Sequence, residues 1–138
     1  MQINFLSVLI ATVADFAVGA VWYSALFGKL WGRIHGFDKL SKQVKEKMMK
    51  VMGPFYAVQA FMTLLTTFVL ALFITYLPLW NPYAIAGFFW VGFVVPAQVS
   101  SVIFGGTEPK WILKKIAIQA GASIVCLEVA AIILHLMA

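Results

Sequence analysis

The sequence predicts an all-α integral membrane protein: a bundle of four transmembrane helices with a short amphipathic cytoplasmic linker helix. Of the 138 residues, 63% are hydrophobic and only 11% are charged, whereas a soluble domain carries about 25% charged residues. So small a globule could not bury this much apolar surface. Four apolar stretches are long enough to cross a bilayer, and all basic residues lie on one side of them. These observations indicate a single transmembrane domain.

Each spanning helix needs about 20 predominantly apolar residues. Four stretches meet this requirement, and we place the spans at Ile3–Phe27, Pro54–Leu77, Tyr83–Phe104 and Trp111–Met137.

Prolines and polar residues suggest where these helices begin or bend. Pro54 is expected to open the second span, because proline in the first helical turn loses no needed hydrogen bond. Pro96 lies inside the third span, where it should free the carbonyl of Gly92 and kink the helix. Thr107 or Glu108 is expected to cap the fourth span.

The basic residues give the orientation. All ten fall between spans one and two or at the start of span four: Lys29, Arg33, Lys39, Lys42, Lys45, Lys47, Lys50, Lys110, Lys114 and Lys115. The positive-inside rule makes that side cytoplasmic. We therefore expect a multi-pass protein of the plasma (inner) membrane with both termini extracytoplasmic. The net charge of +5 then indicates contact with a membrane surface, not with nucleic acid.

The linker from Asp38 to Met52 has a helical pattern of its own. Leu40, Val44 and Met48 recur at helical spacing, and lysines occupy the other face. This pattern predicts a short amphipathic helix on the inner leaflet. Its candidate contacts with anionic lipid are Lys39, Lys42, Lys45, Lys47 and Lys50. The alternative is a solvated helix packed across the mouth of the bundle.

Two carboxyl groups lie within the predicted spans, where ionisable residues are costly and mark candidate functional sites. At about 1.5 Å per residue, Asp15 lies about 18 Å and Glu128 about 14 Å from the outer surface. Three amides, Gln59, Gln98 and Gln119, form a second polar level nearer the inner surface. They are either interhelical hydrogen-bonding groups or the lining of a polar path.

The two acids are expected to share one proton if they meet, within a chain or across an interface. Neither has a basic residue at its depth, and two carboxylates cannot both ionise cheaply in a poorly solvated site. Span four carries polar residues on two faces, which indicates more neighbours than four helices supply. We therefore expect a homo-oligomer, most simply a two-fold dimer.

Recognisable catalytic patterns are missing from the sequence. There is no glycine-rich phosphate loop, no HExxH and no Ser-His-Asp arrangement. Cys126 is the only cysteine, and His35 and His135 fall on opposite sides of the bilayer. We expect no enzymatic activity, no cofactor and no metal site.

Two segments carry a family resemblance. "VGAVWYSALFGKLWGRIHG" (Val18–Gly36) and "FFWVGFVVPAQVSSVIFGGTEPKWILKKIAIQAGASIV" (Phe88–Val125) are similar to segments of a bacterial and fungal membrane family catalogued as domain of unknown function 1761. That family typically shows G-A-x-W-Y-S-P followed by F-G-K-x-W, and later W-x-G-F-x-x-P. Here Ala25 stands at the first proline. The resemblance implies four spans and transfers no catalytic residues.

Two functions remain open from the sequence. The first is a structural, interaction or lipid-associated membrane module, favoured by the basic linker and the scarcity of reactive groups. The alternative is a small oligomeric proton- or cation-coupled transporter that uses Asp15 and Glu128.

Overall fold

The computed structural model describes residues 2–138 and contains four long apolar helical spans, which confirms the predicted all-α architecture. Asn4 Nδ2 donates a hydrogen bond to the Met137 carbonyl at 2.8 Å, so both ends of the described chain lie together. We call this the terminal end of the bundle. The opposite end carries all ten basic residues and is called the basic end.

The first span consists of helix α1 (Phe5–Val21) and one turn of π-helix (Trp22–Leu26). Asn4 caps it, because its side-chain oxygen accepts hydrogen bonds from the backbone N–H groups of Leu6 and Ser7. The cap satisfies amides that have no partner within the helix.

The second span corrects the predicted boundary at Pro54. After the short helix α2 (Gly28–Ile34), a single helix α3 runs over Lys42–Tyr76, with Ser41 as its cap and Pro54 inside it. The prediction of a separate linker helix is therefore wrong. Residues 42–59 are exposed throughout, so packing across the bundle mouth is also wrong. Neighbouring groups or water can satisfy the carbonyl that a helical proline frees.

The third span is interrupted where its proline predicts a kink. Helix α4 (Pro82–Phe89) leads into a π-helical turn (Trp90–Val94) and then into α5 (Val95–Phe104). Pro96 is the second residue after this turn. Because Pro96 has no N–H for the carbonyl of Gly92, the regular ladder cannot continue there, and the wider turn accommodates the break.

The fourth span begins without the predicted side-chain cap. A 3₁₀ turn (Pro109–Trp111) precedes helix α6 (Ile112–Leu136), and neither Thr107 nor Glu108 caps the helix through its side chain. The Thr107 hydroxyl is instead buried without a hydrogen-bond partner. The turn makes Trp111 the residue before α6, and Trp111 has no side-chain acceptor.

The main core lies in the terminal half of the bundle. Its buried members are Val8, Ala11, Leu70, Ala71, Ile85, Ala86, Leu127, Ala130, Ala131 and Leu134. In the described part of the basic half, the buried side chains are Val102, Ile118 and Ala122. The helices are thus tightly packed near the termini and loosely packed near the basic end.

Candidate functional site

Helix α1 packs antiparallel against α6, and this register places the two acids. The Asp15 carbonyl accepts a weak hydrogen bond from Cys126 Sγ at 3.6 Å, and Trp22 Nε1 donates to the Ile118 carbonyl at 3.0 Å. Glu128 follows Cys126 by two residues, which is about 3 Å along the helix axis. Asp15 and Glu128 therefore lie at similar depths.

The Asp15 side chain is buried without compensation. It is 7% exposed, and its Oδ1 atom is buried with no hydrogen-bond partner. The one ion pair in the part of the chain that the structure describes lies at the basic end, between Lys110 and Glu108. A carboxylate in such a place is costly unless a proton, a cation or water compensates it. Asp15 is thus the strongest candidate site in the molecule.

Glu128 does not join Asp15 within one chain. At about 100° per residue, its side chain is turned about 200° away from that of Cys126, which contacts the Asp15 backbone. Among the described residues, no hydrogen bond connects the two carboxyl groups. Glu128 is half-buried, so part of its surface remains available to lipid or to a second chain.

The three amides behave differently from one another. Gln98 Nε2 donates to Ser123 Oγ at 2.9 Å, and Ser123 donates its one proton to the Gln119 carbonyl at 2.6 Å. Gln119 thus contributes its backbone to this cluster. Gln59 is exposed and lies 3.4 Å from Thr63 Oγ1 within its own helix. The structure therefore places Gln98 and Gln119 together and Gln59 apart.

Two tryptophans donate hydrogen bonds to the backbone of α6, a feature that the sequence alone did not predict. The indole of Trp22 donates to Ile118, and Trp90 Nε1 donates to the Ala120 carbonyl at 2.8 Å. A Cβ on Gly121 would lie 2.8 Å from Trp22 Cζ2. The small residue therefore admits the indole. Gly121 alone could have suggested close packing but not its partner.

Lysines and tryptophans stack at the basic end. Lys115 Nζ lies 5.8 Å from the Trp31 ring, and Lys110 and Lys114 lie 5.4 and 5.3 Å from the Trp111 ring. The Lys115–Trp31 contact joins α6 to α2 through cation–π attraction, whereas the two contacts with Trp111 lie within one segment of the chain. The predicted lipid-contact lysines are all exposed there: Lys39, Lys42, Lys45, Lys47 and Lys50.

The four apolar helices and the polar groups between them define a multi-pass membrane protein. The chain belongs to the family described as "Protein of unknown function (DUF1761)", which matches residues 6–135. This finding confirms the resemblance carried by the two sequence segments. No curated protein and no solved structure matches the chain.

Proposed function

We propose that this chain is a lipid-associated membrane module whose basic end binds anionic phospholipid headgroups. The observation that supports this is the uncovered amphipathic start of α3. Val44, Met48, Val51 and Met52 are between 39% and 65% exposed, so no other part of the described chain covers the apolar face. An apolar face opposite lysines is typical of segments at a lipid interface.

The charge at this end supports the same proposal. Ten basic residues share it with three acidic ones, Asp38, Glu46 and Glu108. Each lysine near an anionic surface adds about 1 kcal/mol of attraction. That attraction weakens with salt, because the Debye length is about 8 Å at physiological ionic strength. Binding should therefore be selective for anionic lipid and sensitive to salt.

The test compares fluorescent phosphatidylglycerol and phosphatidylcholine binding to the detergent-solubilised chain. The variant replaces five lysines with glutamine: Lys39, Lys42, Lys45, Lys47 and Lys50. We expect this variant to bind phosphatidylglycerol more weakly at low salt, with each of the five substitutions contributing up to about fivefold to the loss. A matched variant with arginine at the same positions should bind like the native chain. Unchanged binding in the glutamine variant would overturn the proposal.

A second candidate function is proton- or cation-coupled transport by an oligomer that uses Asp15 and Glu128. The unpartnered, buried Oδ1 of Asp15 favours it, since a structural acid would ordinarily be hydrogen-bonded. Glu128 is half-buried on another side of α6, where it would face a second copy in a dimer.

Reconstituted vesicles test this second candidate. A vesicle loaded with a pH-sensitive dye should show proton uptake with the native chain and none with Asp15→Asn. Native mass spectrometry in mild detergent should show a dimer, which Glu128→Leu weakens if this face is the interface. A monomeric native chain with no Asp15-dependent proton uptake would contradict the candidate.

A further inference from the structure

Asp15 is closed off from the terminal end of the bundle. Ser7, Val8 and Ala11 lie between it and that end, and they are only 2%, 2% and 0% exposed. Toward the basic end α1 is less covered, because Asp15 is its last buried residue and the following π-helical turn has none, although the Trp22 indole of that turn still packs against Ile118 and Gly121 of α6. A ligand of Asp15 would therefore meet the least obstruction from the basic end.

A line of polar groups approaches Asp15 from that direction. Gln119, Ser123 and Cys126 follow spacings of four and three on α6, so they share one face. All three are partly exposed. Gln98 joins the line from α5 through its 2.9 Å contact with Ser123, and Cys126 ends it at the Asp15 carbonyl. We call these four residues the polar track; on α6 it rises about 10 Å.

Helix α3 leaves the basic half loosely packed. Residues 42–59 are exposed at every position, and the first buried residue of α3 is Thr67. The described part of α2 also has no buried residue. The basic half is therefore the less covered half of the bundle, and its polar groups would give water that arrives from the basic end hydrogen-bond partners.

We infer that Asp15 exchanges a proton with water from the basic end along the polar track. This inference rests on the second candidate function and specifies its ligand and its side of access. Hydronium gives its proton to the Asp15 carboxylate and leaves as water. No three His, Cys, Asp or Glu side chains converge in the described residues. A single carboxyl group such as that of Asp15 suits a proton better than a metal ion, which needs several oxygen ligands.

The neighbours of Asp15 leave it as the exchanging group. Its own span holds no other charged residue, and α3 has no charged residue beyond Lys50. Cys126 contacts it from α6, Glu128 is turned away, and the titratable Tyr23 and Tyr56 lie toward the basic end. If the polar track served only to hold the helices together by hydrogen bonds, Oδ1 of Asp15 would remain without a hydrogen-bond partner. Water that arrives along the track supplies that partner.

The native chain contains its own probe, because Cys126 is its only cysteine and is the residue of the polar track that contacts Asp15. Silver ion is small and charged, and it blocks a thiol only where water carries it. We would add it to one face of sealed vesicles, then alkylate unblocked Cys126 after denaturation. Two variants in a Cys126→Ser background, Ser41→Cys and Ala138→Cys, identify which end faces the reagent. We expect Cys126 to react from the same side as Ser41→Cys.

A matched control separates the track from lipid at the same depth. Val125 precedes Cys126 and is 36% exposed on a side about 100° away, so Val125→Cys should stay unblocked. Ser123→Val should slow the blocking of Cys126 about tenfold, because the track then loses a hydrogen-bonding group. Reaction from the Ala138→Cys side, or from neither side, would overturn the route.

A separate measurement tests proton binding itself. Dicyclohexylcarbodiimide reacts with protonated carboxyl groups in membranes, so peptide mapping should find its label at position 15 in the native chain and not in Asp15→Asn. Labelling of Asp15 supports proton binding. If Cys126 reacts from the basic end while Asp15 stays unlabelled, proton binding at Asp15 is wrong, and with it the transport candidate, although the water route stands.

Discussion

The terminal half and the basic half of the bundle are held together in different ways. In the terminal half, small and aliphatic side chains such as Ala11, Leu70 and Ala131 are buried with almost no exposure. In the basic half, the contacts are hydrogen bonds and stacked rings, such as the indole of Trp22 on α6 and Lys115 over Trp31. Because lipid is as apolar as leucine, helices associate through close packing or polar contacts. The terminal half uses close packing and the basic half uses polar contacts, and Asp15 lies at the boundary between the two halves.

The orientation of the two halves across the membrane should give the largest effect, because a reporter fused to either end is either active or inactive. The ten basic residues at one end predict that this end is cytoplasmic. A reporter that is active only outside the cytoplasm should therefore work when fused after Ala138 and fail when inserted near Lys42. A cytoplasmic C-terminus would reverse the assignment of both halves.

Truncation in the terminal core should cost the most stability. Leu70 is fully buried, so Leu70→Ala should lower the free energy of unfolding by about 2–5 kcal/mol. Leu113 in the basic half is 81% exposed, and Leu113→Ala is the matched control with little expected change. Detergent unfolding followed by circular dichroism measures both. Equal losses would show that the two halves do not differ in packing.

Disrupting the tryptophan contact should cost less. In Gly121→Val, the new Cβ would meet the Trp22 ring at 2.8 Å, and relief of that clash should cost about 1–3 kcal/mol of unfolding free energy. A Cβ on Gly87 would meet no atom of a neighbouring segment within 4 Å, so Gly87→Val is the matched control. Should both variants unfold alike, the indole contact would not hold the basic half together.

Neutralising the acid at the boundary should change stability least. An amide mimics a protonated carboxyl group in shape and polarity, so Asp15→Asn should alter the free energy of unfolding by about 1 kcal/mol or less. Carbodiimide labelling at position 15 should nevertheless disappear. A large loss of stability would instead mean that an ionised Asp15 holds α1 in place. A charge at the boundary would then contribute to holding the two halves together.

Hydropathy predicted the helices well, and local hydrogen bonding explains where it did not. The four spans follow from apolar length, and the interruption near Pro96 follows from its missing N–H. The predicted start of the second span at Pro54 is wrong. A proline can open a helix or lie inside one, and Pro54 alone does not distinguish the two positions. The cap of α6 was wrong because Pro109 begins a 3₁₀ turn that moves the helix start to Trp111.

The candidate site shows the limit of sequence reasoning more clearly. Asp15, Gln98 and Gln119 were recognised because polar groups in a span are costly. Their partners depend on the rotation of each helix about its axis, which depth alone does not supply. Glu128 lies at the depth predicted for pairing with Asp15, yet its side chain is turned to another side of α6.

By itself, the sequence determined that the chain is a four-span helical membrane protein with all its basic residues at one end, because composition and helix length respond directly to the bilayer. Only the tertiary structure decided that Asp15 packs against Cys126 and that α3 extends uncovered from the bundle. Those features depend on how side chains from distant segments fit together. The fit of Trp22 against Gly121, between residues that are far apart in the chain, sets the register of α1 on α6 and with it the surroundings of the buried acid.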